Sequence, residues 1–298
     1  MRVLHLFGDW KWTGPAEPTL DLCLELRALG IRADLACRPA PPEASSNLPA
    51  RARERGLEPV LDLDLERSLS PFKNLARIRR IAEASLGYDL VHVHFSHDHL
   101  LGGLGARKSR HARIVRTNQK AIPTPWNPGA TYLFRRLTDG YVTYSREALD
   151  ADVRRYGVRG WRVDPAMRLE RFAPREVPPH EGFVVGVVAR MQRHRRFDVL
   201  LQGVKLARVP GLRVLVVGRG THMDEVAVEP AKRLDLTNVT FTGYLGEKFL
   251  DTMAGFDALL FLVPGSDGTC RAIREAMCMG KAVIGARRGM IPEIVDGR

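Results

Sequence analysis

Apolar residues along this chain fall into short blocks of four to eight, each closed by glycine, proline or charge, and between them run stretches with helical spacing. The blocks predict strands over 2–7, 31–37, 88–95, 114–117 and 140–144, then over 183–188, 213–217, 239–242, 258–262 and 282–286. The periodic stretches predict helices over 19–29, 73–85, 129–137 and 146–156, then over 197–207, 225–234, 247–254 and 269–279. Gly30 and Gly280 sit where C-terminal caps belong. Regular β/α alternation implies a parallel sheet with helices on both faces, and the short apolar block 282–286 reads as one of its buried strands. The first unit, a strand, a loop over 8–18, a helix and a second strand, is Rossmann-like without a GxGxxG fingerprint. The Pro-, Arg- and Glu-rich stretch 38–70 is expected to wrap the domain irregularly, with a short helix and an edge strand over 60–65. Prolines at 174, 178 and 179 mark a linker over 173–182 between two domains, 1–172 and 183–298.

At 298 residues and 45% hydrophobic content, the chain can fill two cores. No apolar run approaches a membrane span, and the N-terminus enters a strand directly, so neither a signal peptide nor a transmembrane helix is expected. Cys23, Cys37, Cys270 and Cys278 lack metal or redox spacing and read as reduced core thiols, which places the protein in the cytosol. A formal net charge of +12 asks for an anionic partner, such as a membrane surface or an anionic lipid-linked substrate. Nucleic acid is not expected, because aromatics make up 7% of the chain and do not interleave with the basic clusters.

The stretch 263–297 carries the most chemistry. Gly265, Ser266, Asp267, Gly268 and Thr269 form a small polar entry to the helix over 269–279, and its backbone N–H groups together with the helix dipole suit a phosphate. Here the chain resembles the retaining GT-B glycosyltransferases of family 4, in which two acidic residues precede EAM..GKPVI and GG.PEIV. Asp267 and Glu275 hold the acidic positions; Glu275-Ala276-Met277, Gly280-Lys281-Ala282-Val283-Ile284 and Pro292-Glu293-Ile294-Val295 match the rest. Asp267 stands where the family usually has Glu, and Cys270 where it has glycine. The family's GRL...KG is met by Arg190, with Arg195 at the Lys position and Arg196 at the glycine. Its GGAE loop is met by Gly14-Pro15-Ala16-Glu17, in which Pro15 removes one N–H donor.

The resemblance implies two Rossmann-like α/β domains facing across a cleft and a metal-independent transfer from a UDP- or GDP-linked sugar to a glycan or lipid-linked acceptor. Arg190 and Arg195 would neutralise the diphosphate, Asp267 would hold the sugar and Glu275 the ribose. His97, in a loop, would face the sugar and acceptor. Gly14, Gly268 and Thr269 would line the donor, and the base would lie near Tyr244, read largely through backbone groups. Asn118 occupies a position where many relatives have histidine. The family continues past the last residue here with a strand and helices, so a closing segment is expected to be missing.

Other readings of the same residues remain open. Asp62 and Asp64 form a DxD, which alternation with leucine assigns to the polar face of the edge strand. The run His92, His94, His97, Asp98, His99 is one residue too long for the HxHxDH pattern of metallo-hydrolases, and zinc would need ligands from elsewhere. The alternatives are a sugar-nucleotide epimerase of the same fold, a metallo-hydrolase centred on those histidines, and a non-catalytic basic binding module.

Overall fold

The structure, a computed structural model, describes residues 1–44, 46–264 and 268–296. The chain divides into two compact units, Met1–Met167 and Arg168–Arg298. In the first, β1 (Arg2–Phe7) leads through α1 (Ala16–Ala28) to β2 (Arg32–Cys37). Then follow α2 (Leu48–Glu54), α3 (Pro71–Ser85), β3 (Leu90–Val93), α4 (Ser96–Ser109), β4 (Arg113–Asn118), α5 (Pro128–Arg136), β5 (Gly140–Thr143), α6 (Arg146–Tyr156) and β6 (Gly160–Arg162). In the second, β7 (Phe183–Val188), α7 (Phe197–Leu206) and β8 (Leu212–Val217) precede a π turn that runs into α8 (Glu229–Arg233). β9 (Val239–Gly243), α9 (Phe249–Ala254), β10 (Ala258–Phe261), α10 (Arg271–Cys278), β11 (Ala282–Gly285) and α11 (Ile291–Val295) complete it.

Both sheets are parallel. The six-stranded sheet runs β2-β1-β3-β4-β5-β6 and the five-stranded one β11-β10-β7-β8-β9. In each, the first strand of the unit lies inside the sheet, so successive crossovers leave it in opposite directions. Apolar side chains pack both faces of the first sheet: Phe7, Leu20, Leu35 and Leu48 under α1 and α2, and Leu4, Leu6, Ile81, Val91 and Leu101 under α3 and α4. Helix starts are marked by caps. The Asn47 and Asn127 side chains each accept from the amide three residues on, at 2.8 Å, with proline in the first turn.

Four expectations need correction. Residues 60–65 make no strand; Val60 forms one parallel bridge with Ala36, and Asp64, at φ 48°, turns back to pair with the buried Arg77 at 2.9 Å. The Asp62–Asp64 pair is therefore split, with Asp64 taken up by a structural ion pair. The block 282–286 is not a buried strand: β11 is the edge of its sheet, and Ile284 is 52% exposed. The first unit ends at Met167 rather than 172; the 310 turn Leu169–Phe172 belongs to the second unit, where Phe172 is 1% exposed. His97 lies in the first turn of a helix, α4, rather than in the expected loop. Gly102, Gly103 and Gly105 lower its helix propensity, yet each admits a neighbour: a Cβ on Gly105 would meet Ile81 Cγ2 at 2.6 Å. We expect Gly105→Val to cost about 2 kcal/mol by overpacking α3 against α4, read as a lower midpoint in denaturant unfolding.

Candidate active site

In an open parallel sheet, ligands bind where neighbouring crossovers diverge, beyond the carboxyl ends of the strands. In the second unit that point lies between β7 and β10. Two exits lead there: Ala189–Arg190 after β7, and Leu262–Pro264 after β10. Arg190 is exposed and has no ion-pair or hydrogen-bond partner among the described residues. Arg195 is partly buried and its Nη1 donates to Val263 O at 2.8 Å, which ties the two exits together. Arg196 occupies the left-handed region at φ 59° and pairs with Asp198 at 3.0 Å, so its charge is directed to the start of α7 rather than into the crevice. The left-handed backbone explains why glycine suits that position.

Two further glycines, Gly218 and Gly220, fix this geometry. A Cβ on Gly218 would meet Ala189 O at 2.2 Å, and one on Gly220 would meet Met191 O at 2.1 Å. The β8 exit therefore lies directly on the backbone around Arg190, an approach only glycine permits. The Gly-x-Gly after the apolar run over 212–217 was the available signal. Arg219, between them, stacks its guanidinium 5.3 Å from the Tyr244 ring centroid, and Tyr244 itself is 67% exposed.

The other wall is the start of α10. The helix begins at Arg271, not at residue 269, because Gly268 and Cys270 both take left-handed backbone, φ 50° and 46°. Thr269 is fully buried, and Arg274 Nε donates to its carbonyl at 3.2 Å, so the entry turn is pinned to the helix it opens. No acidic residue lies in the first turn of α10, so none within that turn opposes the positive end of the helix dipole. Glu275 is buried, and Arg271 Nε donates to its Oε1 one turn earlier. Asp267, with Gly265 and Ser266, lies outside the described residues.

In the first unit the crossovers diverge between β1 and β3. Gly14 is half-buried in the β1 exit, and Pro15 caps α1 without a side-chain hydrogen bond. Gly8 N donates to Asp98 Oδ2 at 2.9 Å, and a Cβ on Gly8 would meet Asp98 Oδ1 at 2.1 Å, so this buried carboxyl joins the β1 exit to α4. Burial raises Asp98 to about 7, against the stabilising Gly8 amide. Burial also lowers the neighbouring Arg116 guanidinium to about 10.

The histidine run does not act as one group. Parallel pairing sets His5 of β1 beside His92, and His94 follows two residues on along the same face. The ligating nitrogens of these three lie within 4.8 Å of one another. Hydrogen bonds already engage them. Tyr144 donates to Gln119 Oε1 at 2.8 Å, and Gln119 Nε2 donates to His94 Nδ1 at 2.9 Å. His94 Nε2 meets His5 Nδ1 at 3.2 Å, and His92 Nε2 meets Thr117 Oγ1 at 2.6 Å. The charge of Arg116 bears on His92 and His94 and disfavours a cation there. His97 turns away to Glu66 O at 3.1 Å, and His99 to Thr138 Oγ1 at 2.7 Å. His5 and Gln119 were not singled out in the sequence; strand pairing alone brings them in. Asn118 holds Ile122 O at 2.8 Å and the Tyr141 hydroxyl at 3.0 Å, so it braces the β4 exit.

Residues 14–165, about half the chain, match the sequence model of glycosyltransferase family 4, and residues 182–298 that of the glycosyl transferases group 1. The chain belongs to glycosyltransferase family 4. No curated protein matches it. Solved structures share the fold: Alr3699/HepE from Anabaena, in complex with UDP and glucose, superposes with a TM-score of 0.77 at 18% identity over 99% of this chain and 83% of that one. A glycosyltransferase from Rickettsia africae gives 0.80 at 16%, over 99% and 81%, and the lipopolysaccharide outer core galactosyltransferase WaaB gives 0.67 at 14%, over 98% and 83%. The chain is thus a glycosyltransferase of the GT-B fold. No described helix is long and apolar enough to cross a membrane.

Two outcomes follow for this family 4 chain. Gly220→Ala forces the β8 exit off the Met191 carbonyl, and we expect nucleotide affinity to fall at least tenfold with the circular dichroism spectrum kept. Burial holds His5 and His99 at about 3, and His92 and His94 well below their ordinary 6.5. A base with a depressed folded pKa contributes stability above its unfolded pKa that is lost as pH falls, because the unfolded chain takes up the proton. Asp98, raised to about 7, has the opposite slope, losing its contribution as pH rises through 7. The histidines outnumber it, so stability should drop by about 1 kcal/mol per histidine per pH unit below 6.5, measured as unfolding midpoints at pH 7 and 5.5.

Proposed function

We propose that this glycosyltransferase moves a sugar from a nucleoside-diphosphate donor to a glycan or lipid-linked acceptor with retention of configuration and without a metal. The observation that carries the reading is Arg190: an exposed guanidinium with no ion-pair or hydrogen-bond partner among the described residues, at the switch point of the second unit beside β10, the strand that precedes the N-terminus of α10. A dianionic diphosphate satisfies both.

Breaking the bond from sugar to diphosphate builds negative charge on the β-phosphate. Arg190, the Arg195 turn and the amides at Gly268, Thr269 and the α10 start stabilise that charge where it develops. The acceptor hydroxyl attacks from the leaving-group face and gives its proton to the departing phosphate oxygen, so no protein nucleophile is used. Asp267 takes a hydroxyl of the transferred sugar, and Glu275, held by Arg271, takes the ribose hydroxyls. Tyr244, stacked on Arg219, stands beside the base, which the backbone at Gly243 reads. The first unit is assigned the acceptor, and Gly14 in its β1 exit permits close backbone approach. The complexes of Alr3699/HepE favour uridine as the base. The +12 charge and the four free cysteines support a cytoplasmic enzyme held on an anionic membrane leaflet.

Calorimetric titration with UDP, GDP and ADP in EDTA tests this. One nucleotide should bind, and Arg190→Ala and Glu275→Ala should each weaken it by at least tenfold, about 1.4 kcal/mol. Binding that requires a divalent cation, or that survives both substitutions, overturns the reading; release of free epimer without acceptor would indicate an epimerase.

A further inference from the structure

The exposed apolar side chains of the first unit include a set at one end of α3. Leu69 is 102% exposed, Phe72 84% and Leu75 46%. Along the helix, Phe72, Leu75, Ala76, Arg79 and Glu83 fall at i, i+3, i+4, i+7 and i+11, one stripe opposite the buried Arg77, Ile81 and Ser85. The inner face is fixed: Arg77 holds Asp64 by two hydrogen bonds of 2.9 and 3.1 Å, and Ile81 packs into the core. The outer face cannot rotate inward, so its leucines and phenylalanine are presented to the surroundings.

Charge decides what suits this face. Arg67, Lys73, Arg79 and Arg80 are all exposed around the apolar tip, and Glu83 lies at the far end of the stripe. The first turn of α3 contains no acidic residue, so its helix dipole adds positive potential at the same end. At 1.5 Å per residue, Arg79 stands about 10 Å along the axis from Phe72, the depth that separates acyl chains from phosphates at a bilayer surface. The apolar groups stand on a convex helix end rather than in a groove, which fits a fluid surface better than a shaped protein pocket.

We propose that the N-terminal end of α3 is the element that docks this protein on an anionic lipid leaflet, with Leu69, Phe72 and Leu75 entering the acyl boundary and Lys73, Arg79 and Arg80 meeting the phosphates. This rests on the membrane-associated part of the function proposed above and gives it a location. None of its residues is among those assigned to the nucleotide, which belong to the second unit.

Co-sedimentation of the full chain with vesicles of phosphatidylglycerol and phosphatidylcholine, against phosphatidylcholine alone, is the test. Binding should need the anionic lipid and weaken with salt. The pair Leu69→Ser and Phe72→Ser should reduce partitioning at least tenfold, and Arg79→Gln with Arg80→Gln by roughly five-fold per charge. UDP titration should be unchanged in both variants, because none of these side chains is among those assigned to the nucleotide. Absence of vesicle binding by the wild type overturns membrane association altogether. Wild-type binding that both variants retain overturns the assignment to α3, and loss only in the charge variant overturns insertion of the apolar tip.

Discussion

A parallel strand cannot turn directly into its neighbour; every connection must leave from the carboxyl edge and return over a face of the sheet. That constraint, applied to sheets whose first strand lies inside, arranges the whole molecule. At β1 and at β7 the crossovers part in opposite directions, and each parting leaves a crevice where backbone amides and strand-end side chains converge. The crevice of the second unit, where we propose that the diphosphate binds, has few side chains: Arg190 and Arg195 on one exit, the start of α10 on the next, and two glycines that let the β8 exit lie against the first. The crevice of the first unit is lined differently, by a buried carboxyl that laces β1 to α4 and by a neutral histidine network behind it.

The two sites therefore divide physical tasks. The second unit offers fixed positive potential to an anion. The first holds titratable groups in a buried interior, where desolvation keeps the imidazoles uncharged and raises the Asp98 carboxyl toward neutrality. That interior is a structural dependence as well as a chemical one, since the histidines stabilise the fold only while they remain neutral.

Much of the fold was legible because its strands are apolar blocks and its helices repeat at 3.6; the extents of β7 and α6 agree with the sequence reading at both ends. What was hidden had local causes. α4 carries three glycines whose purpose is to admit Ile81, Leu137 and Leu6, a reason visible only when the neighbours are in place. Residues 60–65 alternate like a strand, but the buried Arg77 draws Asp64 out of line. At the candidate site, the residue types at Arg190, Arg195, Gly268, Thr269 and Glu275 could be read from motif and spacing. The pairing of Glu275 with Arg271, the left-handed entry at Cys270 and the recruitment of His5 could not, because each depends on contacts or backbone angles.

Hydrogen–deuterium exchange of the full chain with and without UDP tests the central claim most directly, because it reports where the nucleotide sits. The account predicts slowed exchange at residues 189–192, 218–220 and 268–273, around the switch point of the second unit. Protection confined to the β1 and β3 exits of the first unit, or spread without focus, would contradict it.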